Sequence, residues 1–454
     1  MQTRFTLAQL ADPDISAAND ILRSCVHCGF CLPACPTYAL LGDERDGPRG
    51  RIYLIKEMLE EDRAATPTDV THIDRCLSCM SCMTACPSGV NYMHLVDIAR
   101  ERMADAPSRS AGGRAVRALL SRVLPWPRRF RAALALGALA RPFARLLPWP
   151  LRRMVEMMPR RAASGTATAP GVYPADGARR FRVALLAGCV QQALAPAINA
   201  ATIRLLTRLG CEVVVAEGAG CCGALDHHMG RGGAARGLAR GNVRAWLAAA
   251  EQAGGLDAIL VNASGCGTMV KDYGFLLRGG GDAAAAGRVS ALARDISEFL
   301  AERDLIGPNV QPLARPIRVA WQAPCSLQHG QRVTAAPRDL LAACGFAVTE
   351  PADAHLCCGS AGTYNILQPE IADRLRRRKQ AALAATTPDV VASGNIGCIA
   401  QLSVDAAWPV VHVVELLDWA TGGPRPASLG DARPRRPGRK RDGGKDGGSA
   451  AWKT

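Results

Sequence analysis

The sequence predicts a multidomain α+β protein: a helical N-terminal domain followed by two duplicated α/β units. Three observations carry that expectation. Two identical C-x2-C-x2-C-x3-C-P runs lie between Cys25 and Pro87. A single cysteine, a vicinal pair in CCG and a further cysteine then recur in that order twice, beyond residue 180. These later cysteines follow short apolar runs that alternate with helical sequence, the pattern of buried parallel strands. At 454 residues the chain is also too long for one ordinary core, so several domains are expected.

Residues 1–105 form the first domain. Its cysteine runs are CVHCGFCLPACP and CLSCMSCMTACP, and between them GRIYLIKEMLEED sets Ile52, Ile55, Met58 and Leu59 at helical spacing. This cysteine spacing is the bacterial ferredoxin signature for a pair of [4Fe–4S] clusters: three thiolates cap one cubane and the fourth crosses to the other. Cys25, Cys28, Cys31 and Cys86 are thereby assigned to one cluster, and Cys35, Cys76, Cys79 and Cys82 to the second. The domain is a helical ferredoxin-like one. Zinc sites prefer two C-x2-C hooks, a pattern that does not account for four-cysteine runs ending in proline. Fully cysteine-bound clusters pass single electrons and expose no open iron as a Lewis acid.

Residues 106–180 change composition to Arg, Ala, Leu and Pro, with LPWP occurring twice. Val116, Leu119, Leu120, Val123 and Leu124 make one apolar helix face, and Leu151, Met154, Val155 and Met158 another, with arginines opposite. Residues 108–161 hold thirteen arginines against Glu156 alone, and 425–454 hold nine Lys or Arg against three Asp. These two segments more than account for the net charge of +15. The cysteine-bearing parts are slightly acidic, and no nucleic-acid reading module is recognisable, so nucleic acid is not a predicted partner. The arginine-rich segment suits either a monotopic membrane contact or a solvated or partner-covered face. Its most apolar stretch, AALALGALA at 132–140, is half the length of a bilayer span. A Ser/Thr/Ala/Gly/Pro run at 162–180 reads as a linker, and the tail 425–454 as disordered and basic. The N-terminus shows no secretory signal, which places the thiols in a reducing cytoplasm.

The α/β units are 181–310 and 311–424. RRFRVALLAGCV, EVVVAE, AILVNASGC, IRVAWQAPC, VVASGNIGC and VVHVVELL read as their strands. The repeat joins Cys189, Cys221, Cys222 and Cys266 to Cys325, Cys357, Cys358 and Cys398, with an interval of 32 residues from the single cysteine to the pair in both units. Neighbouring cysteines do not readily bridge each other, so two thiols aimed at one place, joined by thiols from other strand ends, make each unit a candidate for an additional metal or a third cluster. Cys211 and Cys344 stand on opposite sides of their glycines, are not repeat-equivalent, and read as core. His227 and His228, after the first pair, are candidates for ligand, proton relay or loop cap. GAGCCG at 218–223 matches a dinucleotide fingerprint, but no acidic residue follows near position 240 to meet a ribose, and nicotinamide or flavin binding is rejected.

With CVHCGFCLPACPTYALLGDERDGPRGRIYLIK, RCLSCMSCMTACPSGVNY, ASGCGTMVKDYG and CCGSAGTYNILQPEIA in view, the chain resembles the iron–sulfur subunits of bacterial glycolate oxidase, of the CCG cysteine-rich domain family, over about residues 20–420. The resemblance implies an electron-transfer subunit working with FAD-binding partner subunits that oxidise glycolate to glyoxylate. Electrons would leave toward a respiratory-chain acceptor such as a quinone, on the inner face of the cell membrane. No residue of this chain is assigned a catalytic role in that oxidation. Similar architectures serve lactate and glycerol-3-phosphate dehydrogenases and heterodisulfide reductase. In the last, each CCG unit carries a further C-x-x-C that binds catalytic clusters. Here Cys266 is followed by GTM and Cys398 by IAQ, so each unit is one cysteine short.

Overall fold

The computed structural model describes residues 1–156, 158, 166–252, 254–307, 310–311 and 315–430. The start of the expected linker, 162–165, and the expected disordered tail from 431 on lie outside the described residues; the first residues expected in that tail instead form a 3-10 turn at Ala427–Leu429.

The N-terminal domain is built of short helices, including Pro13–Ser24, Pro36–Leu41, Pro48–Glu60, Pro67–Asp74 and Tyr92–Arg102. Four of these five begin with proline, which lacks only an N–H that the first helical turn leaves unpaired anyway. Ile15, Leu22, Ile52, Ile55, Leu95 and Val96 close a core from which the cysteine loops project. Ile52, Ile55, Met58 and Leu59 are all buried, as their spacing predicts.

The arginine-rich segment folds as helices Ala111–Val123, Pro127–Ala140 and Trp149–Glu156, with a 3-10 turn at Arg141–Leu146. Arg117 (2.6 Å) and Arg109 pin its start to Asp74 of the first domain. Among the described residues no helix is long and apolar enough to cross a membrane.

Two sheets follow. The first contains β1 (Gly171–Tyr173), β2 (Phe181–Leu185), β3 (Cys211–Val215), β4 (Ala258–Val261) and β5 (Ala293–Asp295), in the order β1-β3-β2-β4-β5. All neighbours are parallel except β1, which runs antiparallel to β3. The second contains β6 (Arg318–Gln322), β7 (Ala347–Thr349), β8 (Val390–Ser393) and β9 (Val410–His412), all parallel, in the order β7-β6-β8-β9. Without β1 the two orders are the same, so the duplication inferred from cysteine spacing is a duplication of topology.

Two expectations are corrected. The run expected to be a linker contains β1, a short edge strand held by main-chain pairing to β3. VVHVVELL is not one strand: β9 stops at His412, whose Nδ1 accepts from the Val414 N–H at 3.1 Å and caps the helix Val413–Ala420. The units share one core, in which Val183, Leu205, Trp321 and Leu417 take part. His412 Nε2 crosses between them to donate to the Asn262 carbonyl at 2.7 Å.

Candidate metal centres and the cavity between them

Helix starts and strand ends place the thiols. Cys35 is the residue before helix Pro36–Leu41, so its side chain leaves the chain where the backbone turns. Cys25, Cys28, Cys31 and Cys86 line one cavity, which Cys82 also borders. Cys35, Cys76, Cys79 and Cys82 line the next. Buried Tyr92 lines both and separates them. The four thiols of each expected set therefore share a cavity, with Cys82 bordering both.

The donor chemistry fits iron–sulfur clusters. All eight thiols are free of disulfides. Burial pushes the thiols of Cys79 and Cys82 well up, and that of Cys31 up to about 11, so these groups ionise only against a bound cation. Two N–H donors point at cluster-side sulfurs: buried Arg51 reaches Cys35 Sγ at 3.9 Å, and Ser78 N–H points at Cys76 Sγ at 3.5 Å. Thr37 Oγ1 lies 3.2 Å from Cys35 Sγ but gives its own proton to the Asp46 carbonyl at 2.7 Å. Asp43, Asp46 and His72 also converge nearby. However, the Asp46 carboxylate is already held by His72 at 2.8 Å, Arg75 at 3.0 Å and Arg51 at 3.7 Å, so that group is an ion-pair network.

The two quartets meet different surroundings. Cys28 is exposed, and around it Val26, Phe30 and Tyr53 are 67%, 66% and 55% exposed. The Cys76–Cys82 loop instead packs inward: Leu77 and Cys79 share a buried cluster with Cys357 and Tyr364 of the second α/β unit.

The CCG cysteines stand at the carboxyl ends of parallel strands, where open α/β sheets build their sites. Cys189 follows β2, the pair Cys221–Cys222 follows β3 and Cys266 follows β4; Cys325, Cys357–Cys358 and Cys398 follow β6, β7 and β8. In the second unit Cys325 lies 3.7 Å from Cys357, and Cys358 lies 3.3 Å from Cys398. In the first, Cys189 and Cys222 both hydrogen-bond Cys221, and Cys222 also reaches Cys266. Cys221 accepts from Cys189, from Cys222 and from the Gly223 N–H, which holds its thiol well below the usual range. Each unit thus presents four soft donors in one place. Cys211 and Cys344 are buried in the shared core, away from these groups.

The units face a common cavity of about 700 Å³. All CCG cysteines except Cys221 line it, as do Cys76 and Met80 of the first domain and one face of the arginine-rich helices. His227 and His228 line it too, but they are paired with a carboxylate: Asp97 lies 3.3 Å from His227 Nε2 and 3.4 Å from His228 Nδ1. Sequence reasoning left the histidines among three roles and missed Asp97, an acidic residue within a charged helix, 131 residues from His228. No local signal could have found that pairing.

Comparisons with known proteins match this anatomy. Residues 21–90 match the 4Fe-4S dicluster domain, and residues 183–271 and 319–403 each match the cysteine-rich CCG domain. The chain therefore carries two [4Fe–4S] clusters in its N-terminal domain. It is 42% identical over 421 residues to the glycolate oxidase iron–sulfur subunit of Escherichia coli (strain K12), covering 92% of this chain and 99% of the relative. It is 33% identical over 430 residues to a Bacillus subtilis (strain 168) protein named "Probable glycolate oxidase iron-sulfur subunit", covering 88% and 94%. One of the subunits of a fumarate reductase (CoM/CoB) from Methanothermobacter marburgensis is 26% identical over 418 residues, 88% of this chain and 72% of its own. Two relatives matched nearly end to end, at 42% and 33% identity, identify the chain as a member of the glycolate oxidase iron–sulfur subunit family.

Proposed function

We propose that this chain is the electron-transfer subunit of a complex whose FAD-binding partner oxidises glycolate to glyoxylate, and that it passes the electrons toward a respiratory acceptor at the inner face of the cell membrane. In this reading Cys25, Cys28, Cys31 and Cys86 ligate one cluster, and Cys35, Cys76, Cys79 and Cys82 ligate the other. The clusters supply one-electron transfer, which converts the two-electron output of a flavin into single steps.

The observation that carries the reading is the polarity of the N-terminal domain. One cysteine loop is exposed and ringed by Val26, Phe30 and Tyr53, an apolar patch suited to a docked partner. The other is buried against the CCG cysteines. Electrons received at the first loop have a protein-lined way inward at the second. The choice of glycolate rests on the relatives, because the substrate pocket belongs to the partner.

The test is anaerobic copurification with native partners, followed by addition of glycolate, lactate and glycerol-3-phosphate in separate samples. Bleaching of iron–sulfur absorbance by glycolate, much faster than by the other two, is the expected result. No response to any of the three would sink the reading and turn attention to thiol or disulfide chemistry at the CCG units.

A further inference from the structure

The cavity of about 700 Å³ lies within the range of sites that enclose organic ligands, and its two ends are chemically unlike. Thiols line one end. The other is walled by Leu120, Val123, Leu134 and Val155 of the arginine-rich helices, hydrocarbon that offers a metal no ligand. The cavity reaches the surface on that side, since Leu136 and Leu151 both line it and are 67% and 39% exposed.

That surface is unusual for a water-facing one. Leu139, Phe143 and Leu146 of the same helical segment have exposures of 75%, 63% and 82%. Of the twelve large hydrophobics exposed among the described residues, seven fall between Leu119 and Leu151. The same segment is strongly cationic, the combination that settles amphipathic helices on an anionic bilayer.

We propose that this cavity binds a lipid-soluble quinone, which enters from the membrane side of the arginine-rich helices, lays its ring toward the thiol end and draws protons from the His227–Asp97–His228 group. The inference deepens the proposed function and rests on it for the electrons. Reduction converts two ring carbonyls into two hydroxyls. It consumes two electrons, which leave glycolate at the partner flavin and arrive one at a time through the N-terminal domain, and two protons. His227 faces the cavity and gives a proton to each ring oxygen in turn, replaced from water on the side where the His228 side chain is 32% exposed; Asp97 stays ionised, because the two histidines outweigh its burial and hold it well below the ordinary carboxylate range, and it orients both rings. Burial opposes a charge on His227, but Asp97 outweighs it and raises the imidazole above its ordinary value. The other charged groups facing this set are Arg100, 3.5 Å from Asp97, and Glu101 and Asp272, whose fields also favour the charged histidine.

The test uses the purified holo-complex and 2-heptyl-4-hydroxyquinoline N-oxide, a quinone-site probe whose fluorescence is quenched on binding, with decylubiquinone as competitor. Saturable quenching reversed by decylubiquinone is expected, and Val155→Trp, which fills the apolar end, should weaken it about tenfold or more. Iron content and paramagnetic signals report whether that variant has folded. Wild-type-like quenching in folded Val155→Trp, or no saturable quenching in the wild type, overturns the site. Glycolate-driven bleaching is read on the same samples: its absence with quenching retained would fail the substrate assignment and leave the quinone site standing. For the proton step, His227→Gln should lower kcat for decylubiquinone reduction about 100-fold with KM little changed, and remove the fall in rate as pH rises through the histidine's pKa. An unchanged pH profile, or a loss confined to KM, would refute proton delivery by His227.

Discussion

Arg51 is the place where the surroundings of a cluster can be changed most cleanly. Its side chain is buried, with Nη1 3.9 Å from Cys35 Sγ, Nη2 donating to Thr37 Oγ1 at 3.1 Å and Nε donating to the His72 carbonyl at 2.7 Å. Burial opposes its charge, yet Cys76, Tyr92, Cys35 and Asp46 together keep it protonated. A fixed cation beside a thiolate favours the reduced, more negative cluster, so Arg51→Met should lower the potential of the second cluster. Two unit charges about 4 Å apart at an effective dielectric of about 20 interact by about 4 kcal/mol. The added electron is spread over the whole cluster, which roughly doubles the mean distance and leaves about 2 kcal/mol, or about 80 mV for one electron. Loss of Arg51 also leaves Asp46 less neutralised, which acts in the same direction. Redox titration followed by paramagnetic resonance separates the two clusters: the signal assigned to the second should move down by about 80 mV and the other by far less. Arg51→Lys keeps the charge and should recover most of the shift. A potential unchanged or raised in a variant with full iron content would refute the electrostatic argument.

Two further outcomes are expected. His412 is buried with its Nε2–H given to Asn262 and its Nδ1 accepting from Val414, so a second proton has no place, and burial lowers its pKa to about 4. The unfolded chain binds that proton near the ordinary value, so stability is full above about pH 6.5 and is lost as pH falls toward 4, by about 3 kcal/mol in total. Unfolding midpoints measured from pH 7.5 to 4.5 should show a fall in the wild type that is shallower in His412→Gln; parallel curves would remove His412 as the cause. Cys358→Ser should remove about four irons per chain if the second CCG unit holds a cubane, and leave both N-terminal signals unaltered. Iron analysis that finds no loss would leave that thiol quartet unmetallated.

The parts legible in the sequence are those fixed by short-range covalent spacing. Three cysteines two residues apart can cap one object only if the loop is tight, and the prolines that follow mark where a helix begins. The CCG repeat was legible because a duplicated gene keeps its intervals, and the strand orders β3-β2-β4-β5 and β7-β6-β8-β9 show that it keeps its topology as well. What the sequence concealed is held by tertiary contact. β1 has the composition of a linker because an edge strand of three residues, paired on one side, needs no apolar pattern. VVHVVELL reads as one strand because periodicity cannot register that His412 turns its ring back to cap a helix. The arginine-rich helices showed their apolar faces in sequence, but not that one face would wall a cavity reaching the thiols.

The duplication also explains why the two units need not do the same thing. Counted from the vicinal cysteines, His227 and His228 occupy the positions of Thr363 and Tyr364 in the second unit. Tyr364 is buried and donates to the Arg75 carbonyl at 2.9 Å, fastening that unit to the loop of the second cluster. The histidines face the helix Tyr92–Arg102 instead and meet Asp97 there. All four residues line the cavity, but in the second unit the pair includes a mechanical contact beside Cys79, and in the first it is two imidazoles on a carboxylate. Four thiols are retained in both units, while their neighbours divide: in the proposed function the second unit adjoins the way in for electrons, and the first holds the histidines proposed to supply protons. A carrier that accepts both electrons and protons needs those two supplies at one cavity. Two symmetric units would have offered either supply twice, and the divergence at two adjacent repeat positions brings them together.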